Sequence, residues 1–205
     1  MPLRFSRIAA LCLALVVGGV AGAAWAEPLR FSTVVIDAGH GGRDGGSVWN
    51  GLIEKKLCLD VAKRVEAGLK SKGVKTVMTR RTDTFVELAQ RARMANRAPS
   101  SVFVSIHFNG SRQTALAGRE VYYRSPRGQS LAAAISRFFK SRVPGGTRGI
   151  FRGNYKVLRE TRMPAVLVEC GYLSNKREAS RCADAAHRQK IADAIVSGLL
   201  AARAK

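Results

Sequence analysis

The sequence is poor in acid, histidine and cysteine. Of 205 residues, 14 are Asp or Glu against 35 Lys or Arg, and only three are His. Four cysteines are present, and Cys12 sits in the N-terminal apolar run, leaving Cys58, Cys170 and Cys182. An odd number does not make a disulfide framework. Cys170 and Cys182 can pair in an oxidising compartment, and buried free thiols are the other reading. Past residue 26 no run is long and apolar enough to span a bilayer. There is no internal repeat, low-complexity linker or block of like charge to mark a second domain. The glycine-rich stretch GHGGRDGG has neither GxGxxG spacing nor a Walker lysine, so it is not read as a phosphate loop. Its glycines are read as letting the backbone approach neighbouring groups closely. Hydrophobic residues make up 46%, which excludes a disordered chain.

The N-terminus reads as a secretory signal over residues 1–26. Arg4 and Arg7 form a positive start, Ile8–Val20 is apolar, and Ala24-Trp25-Ala26 offers small residues for cleavage after Ala26. The apolar run is short of the ~20 residues of a spanning helix, although an uncleaved anchor is the alternative. No cysteine follows the cut, and the two arginines are separated, which argues against lipoprotein and twin-arginine signals. Losing Arg4 and Arg7 takes two charges from the formal +21, leaving +19 on residues 27–205. Such a field suits a polyanion. Nucleic acid is one candidate, but export makes wall polymers, anionic lipid surfaces or lipopolysaccharide the better ones. The competing reading is a merely solvated basic surface.

Strand-like and helix-like segments alternate, which predicts an α/β fold with a largely parallel sheet. Strands are expected at Thr33–Asp37, Lys75–Thr79, Val102–His107, Arg119–Tyr123 and Ala165–Cys170. Helices are expected at Glu54–Ser71, Phe85–Arg97, Leu131–Arg142 and Ala183–Ala202. Leu57, Val61, Val65 and Leu69 recur on one face of the first helix, and Leu88, Ala92 and Ala95 are expected inward on the second.

Ligands of open α/β sheets gather beyond the carboxyl ends of parallel strands. His40 follows the first strand, His107 ends the third, Glu169 lies near the end of the last, and Glu54 opens the first helix. If the strands are parallel, these four meet at one edge. Two imidazoles and a carboxylate with one open position suit catalytic Zn²⁺. Glu169, after the apolar run AVLV, is a candidate proton carrier; a structural ion pair with an arginine is the alternative. Asp37 either hydrogen-bonds a ligand histidine or braces a loop. His187, among charged residues, reads as a surface side chain.

The segments VVIDAGHGGRDGG, GLIEKKLCLDVA, TRRTDTFVELAQRARMANRA, VFVSIHFNG and PAVLVECGYLSN resemble, in order, the blocks of zinc-dependent N-acetylmuramoyl-L-alanine amidases of the Amidase_3 type. The resemblance covers nearly all of residues 27–205. It implies one catalytic domain with a twisted, mostly parallel sheet of about six strands and helices on both faces. It implies hydrolysis of the amide between the lactyl group of N-acetylmuramic acid and L-alanine in peptidoglycan. The zinc ligands would be His40, Glu54 and His107, and the catalytic residue Glu169. Asn109 is a candidate substrate contact. Cys58 stands where the family leads one to expect asparagine, on the helix and, on this reading, away from the ligands. Only Val143–Arg162 lies where some relatives carry a blocking helix, so an open site is expected. A wall-binding module is not apparent, and the +19 charge is expected to attract anionic wall or envelope polymers instead. The expected location is the periplasm or the exterior, at the wall, with no nucleic-acid partner and no membrane anchor after cleavage. Another zinc peptidase or amidase of the wall, or a cationic binding protein of envelope or nucleic acid without catalysis, are the rival readings.

Overall fold

The computed structural model describes residues 28–204; the expected signal lies outside them. Strand β1 (Thr33–Ala38) leads through the hairpin β2 (Val48–Trp49) and β3 (Leu52–Ile53) into helix α1 (Glu54–Lys70). Then come β4 (Lys75–Met78), α2 (Leu88–Asn96), β5 (Ser101–Asn109), β6 (Arg119–Tyr123) and α3 (Pro126–Arg142). The chain continues with β7 (Thr147–Arg152), α4 (Lys156–Glu160), β8 (Ala165–Tyr172), α5 (Lys176–Ala183) and α6 (Ala185–Ala202). No helix among the described residues is long and apolar enough to cross a membrane.

Six strands form one sheet in the order β4-β1-β5-β8-β6-β7. β4, β1, β5 and β8 run parallel. β6 is antiparallel to β8, and β7 is parallel to β6. The apolar strand runs are explained by cover on both faces. On one face, Val34 and Ile36 of β1, Val104 and Ile106 of β5, and Val166 and Val168 of β8 pack under α1, α3 and α6. On the other, Val35, Phe103 and Leu167 pack with Ala95 of α2 and Leu158 of α4. Strand alternation therefore places Asp37, Ser105, His107 and Glu169 on the α2/α4 face.

The chain moves from β1 to β4 on one side and then returns past β1 to β5 on the other. The carboxyl ends of β1 and β5 thus flank a topological switch point, where α/β sheets open a crevice. His40 and His107 stand on either side of it.

Several expectations need correction. Helix α2 starts at Leu88, whose side chain is 48% exposed rather than inward. Helix α3 starts earlier than Leu131, because Ser125 caps it through an Oγ that accepts from Gly128 N at 3.1 Å, with Pro126 in the first turn. The last helix is two helices: Asp184 ends α5 and its Oδ1 accepts from Ala186 N at 2.9 Å to start α6. His187, expected on the surface, is 7% exposed. Burial, with Arg119 and Arg181 nearby, lowers its pKa to about 4, so it is held neutral. Of the two readings left open for the cysteines, the structure has buried free thiols at Cys58, Cys170 and Cys182.

Candidate active site

The loop after β1 brings the first histidine to the crevice in a conformation with φ of +59°. Such backbone is uncommon outside glycine and is found where a site imposes it. Two buried arginines hold it there. Arg80 donates from Nε to the carbonyl of Ala38 at 2.9 Å and from Nη2 to that of Gly39 at 2.6 Å. Arg91 donates to the carbonyls of Ala38 at 2.6 Å and His40 at 2.7 Å. Arg91 is itself anchored on Asp37 at 2.8 Å. The other bonds to Asp37 come from Thr79 Oγ1 at 2.6 Å and Ser105 Oγ at 2.7 Å. Asp37 therefore braces the loop and makes no hydrogen bond to a histidine. Burial would raise its pKa, but Arg91 and the two hydroxyls outweigh this and hold it below the ordinary carboxylate value.

Three donors converge. His40 Nε2 lies 3.0 Å from Glu54 Oε1, His107 Nδ1 lies 3.0 Å from the same oxygen, and the two ring nitrogens are 3.2 Å apart. The other ring nitrogen of His40 bonds Asp44 Oδ2 at 2.8 Å, which leaves Nε2 to face the cluster. Glu54 is buried in the first turn of α1. Its Oε2 accepts from Ser47 N at 2.8 Å and its Oε1 from Phe108 N at 3.0 Å. Burial alone would push its carboxyl up, but His107 and His40 hold it far below the ordinary range. Burial pulls the His40 pKa down, and its bonds to Glu54 and Asp44 override that and raise it.

Two glycines of the loop make room. A Cβ at Gly46 would fall 2.6 Å from Glu54 Oε2 and 2.7 Å from His40 Cδ2. A Cβ at Gly39 would overlap the imidazole of His107.

The three donors suit a metal ion: one atom from each falls within 4.8 Å of the others. A tetrahedral centre with bonds of 2.0–2.1 Å needs ligand atoms ~3.3 Å apart, close to the spacing found. Nitrogen and carboxylate oxygen without thiolate match zinc at an open catalytic position. Cys58 corrects an expectation, because its Sγ lies 3.9 Å from Glu54 Oε1, one helical turn below the cluster. Burial pushes its thiol well above the ordinary value. It is a neutral neighbour.

A groove of about 310 Å³ runs past the cluster, lined by His40, Glu54, His107, Glu169, Leu88 and Tyr155 among others. Glu169 sits beside His107 in the β5–β8 register. It is buried, and its Oε2 has no hydrogen-bond partner. Burial, then the nearby Glu54 and Glu120 carboxylates, push its pKa well up. Asn109 also lines the groove, but its amide is engaged with Glu120 Oε2 at 3.2 Å and Gly110 N at 2.9 Å.

Sequence reasoning missed Glu120, which faces Glu169 across the β6–β8 pair. It accepts from Tyr122 OH at 2.8 Å, Tyr172 OH at 2.9 Å and Arg148 Nε. An acidic residue within the otherwise apolar and aromatic run EVYY was the available signal. Asp44, four residues after His40, and the two loop-binding arginines were also missed.

The chain matches the profile of a family described as N-acetylmuramoyl-L-alanine amidase over residues 34–201. It is 38% identical to YqiI, an uncharacterised Bacillus subtilis protein, over 94% of this chain and 95% of that one. It is 35% identical to the N-acetylmuramoyl-L-alanine amidase LytC of B. subtilis over 84% of this chain, but spans only 36% of LytC. Among solved structures, the catalytic domain of CwlV, an N-acetylmuramoyl-L-alanine amidase from Bacillus (Paenibacillus) polymyxa, superposes with a TM-score of 0.80 at 40% identity. That match covers 83% of this chain and 97% of the domain.

Proposed function

The chain belongs to the N-acetylmuramoyl-L-alanine amidase family, and from that premise we propose that it hydrolyses the amide joining the lactyl group of N-acetylmuramic acid to L-alanine in peptidoglycan. The observation that carries this reading is the pairing, in one groove, of a two-His, one-Glu donor set with a buried carboxyl whose Oε2 is unpartnered.

His40 Nε2, Glu54 and His107 Nδ1 would hold zinc. When bound at an open position, zinc lowers the pKa of water toward ~7 and polarises a carbonyl oxygen. The chain's own residues do the rest. Asp44 fixes the tautomer of His40, and the main-chain N–H groups of Ser47 and Phe108 fix the Glu54 carboxylate. Glu169, whose raised pKa a cation held by the neighbouring donors would bring back down, takes a proton from the attacking water as a carboxylate and returns it to the departing alanine nitrogen. Its partner-free oxygen is free to do both. Leu88 and Tyr155 supply partly apolar walls to the groove.

Residues 1–26 act as a cleaved export signal, and the protein works at the cell wall. The site is open without an activator: residues 143–162 fold into β7 and the five-residue α4 with their connecting turns, and no long helix lies among them. Digesting purified sacculi with and without a chelator, and weighing the products, tests the activity. Intact stem peptides with a new muramoyl lactyl carboxyl are expected, and only without chelator. Cut peptides would mean a peptidase, and no release even with added zinc would reject the reading.

A further inference from the structure

A second cavity, of about 250 Å³, opens at the opposite end of the sheet. It lies beyond the ends of β6 and β7, against α4 and the approach to β8. Its lining includes Arg124, Arg152, Arg159 and Arg162, with Ser125 and Thr161, and no acidic residue. Some arginines elsewhere are matched, such as Arg91 with Asp37, Arg81 with Glu66, Arg148 with Glu120 and Arg188 with Asp60; others, such as Arg112 and Arg137, are single cations unpaired among the described residues, and what distinguishes this cavity is that four converge on it. None of these four forms an ion pair among the described residues. Glu160, the acid nearest in sequence, pairs instead with Lys156 at 3.9 Å. Arg124 and Arg159 both donate to Asn154, at 2.8 and 3.4 Å, which keeps two guanidinium groups on one wall.

Four exposed cations around one concavity, with no acid among its lining residues, raise the local positive potential and draw an anion to it. The cavity lies beyond the carboxyl ends of β6 and β7, which run parallel to each other at the edge of the sheet.

We propose that this cavity binds a phosphate group, as a phosphomonoester or phosphodiester. The guanidinium fork matches the oxygens of phosphate, and four such groups suit a compact, multiply charged anion better than a single carboxylate. Ala165 borders the cavity and Glu169 the groove, four residues apart on β8, so ~13 Å of strand separates them. Helix α4 divides them: Lys156 and Val157 line the groove, Leu158 and Arg159 the cavity. A phosphate-bearing polymer held here leaves the groove open, so the cavity localises an attraction that net charge alone would leave diffuse.

The test is titration of ¹⁵N-labelled protein with inorganic phosphate and pyrophosphate at constant ionic strength, following arginine Nε–H signals. Saturable shifts confined to these arginines are expected. Binding should weaken about tenfold or more in the double variant Arg152→Gln/Arg162→Gln, and not in Arg177→Gln on α5. The side chains of Arg152 and Arg162 are exposed, so the amide spectrum of the double variant should stay that of the wild type. Displacement of pyrophosphate by a glycerol-phosphate oligomer would assign a polymer source, and displacement by phosphatidylglycerol vesicles a lipid source; either keeps the site. Shifts that do not saturate, or that are equal in wild type and double variant, overturn it.

Discussion

Two buried carboxyls lie on the same face of the sheet, separated by β5. Asp37 and Glu169 are close in burial and opposite in partnership. Asp37 receives bonds from Arg91, Thr79 and Ser105, whereas Glu169 keeps Oε2 without a partner. A buried polar atom left unpaired costs about 1–3 kcal/mol. On the function proposed above, a fold that satisfies Asp37 three times over and leaves Glu169 wanting separates scaffold from chemistry. Asp37 secures the loop that carries His40. Glu169 retains capacity that a substrate or water can use.

The largest effect expected is on the three-donor cluster that the scaffold serves. Replacing His107→Ala removes one of three donors, and turnover of sacculi should fall by about a thousandfold or more, given the several kcal/mol that metal polarisation supplies. Unchanged turnover would break the assignment of the cluster. Next is the scaffold itself. Asp37→Ala leaves Arg91 buried without its counter-charge and should cost about 3–5 kcal/mol in stability, read by denaturant unfolding, while activity per folded molecule stays within a few fold. Loss of activity without loss of stability would make Asp37 chemical and erase the contrast.

Acid sharpens it further. The Asp37 pKa is depressed, so its contribution is present above the unfolded value and is lost as pH falls through the folded one. In metal-free protein Glu169 has the opposite sign. Its pKa is raised, so its contribution is present at low pH and is lost as pH rises through the folded value. His187, lowered from 6.5 to about 4, adds stability that is full above pH 6.5 and lost as pH falls toward 4. Thermal melts of His187→Gln should therefore be flatter than wild type across that window by a few degrees. The smallest effect is expected at Cys58, which touches Glu54 without a charge: Cys58→Ala should change activity by less than about threefold in the sacculus assay.

The parts legible in the sequence share a physical cause. β1, β5 and β8 are covered on both faces, so they read as unbroken apolar runs, and the residues at their ends announce a site. The edge strand β7, TRGIFR, has no such run because its residues are exposed or only partly buried. It is held by pairing with β6, which no local pattern reveals. The same blindness hid α4, which is five residues long. His187 looked exposed because its neighbours in sequence are charged, yet it is buried on α6. Glu120 and the loop-binding arginines were obscure because their partners are distant main-chain and side-chain atoms. Cys58 was expected away from the ligands, but it lies four residues along the helix from Glu54, which puts it directly below that carboxylate.

The measurement that bears most directly on the central contrast is Glu169→Gln. The variant should fold, melt no lower than wild type and retain the metal content of wild type after dialysis with zinc. Its release of stem peptides from sacculi should fall by about a hundred- to ten-thousandfold, the range for loss of a positioned acid–base group. Activity within threefold of wild type, with metal bound, would contradict the account.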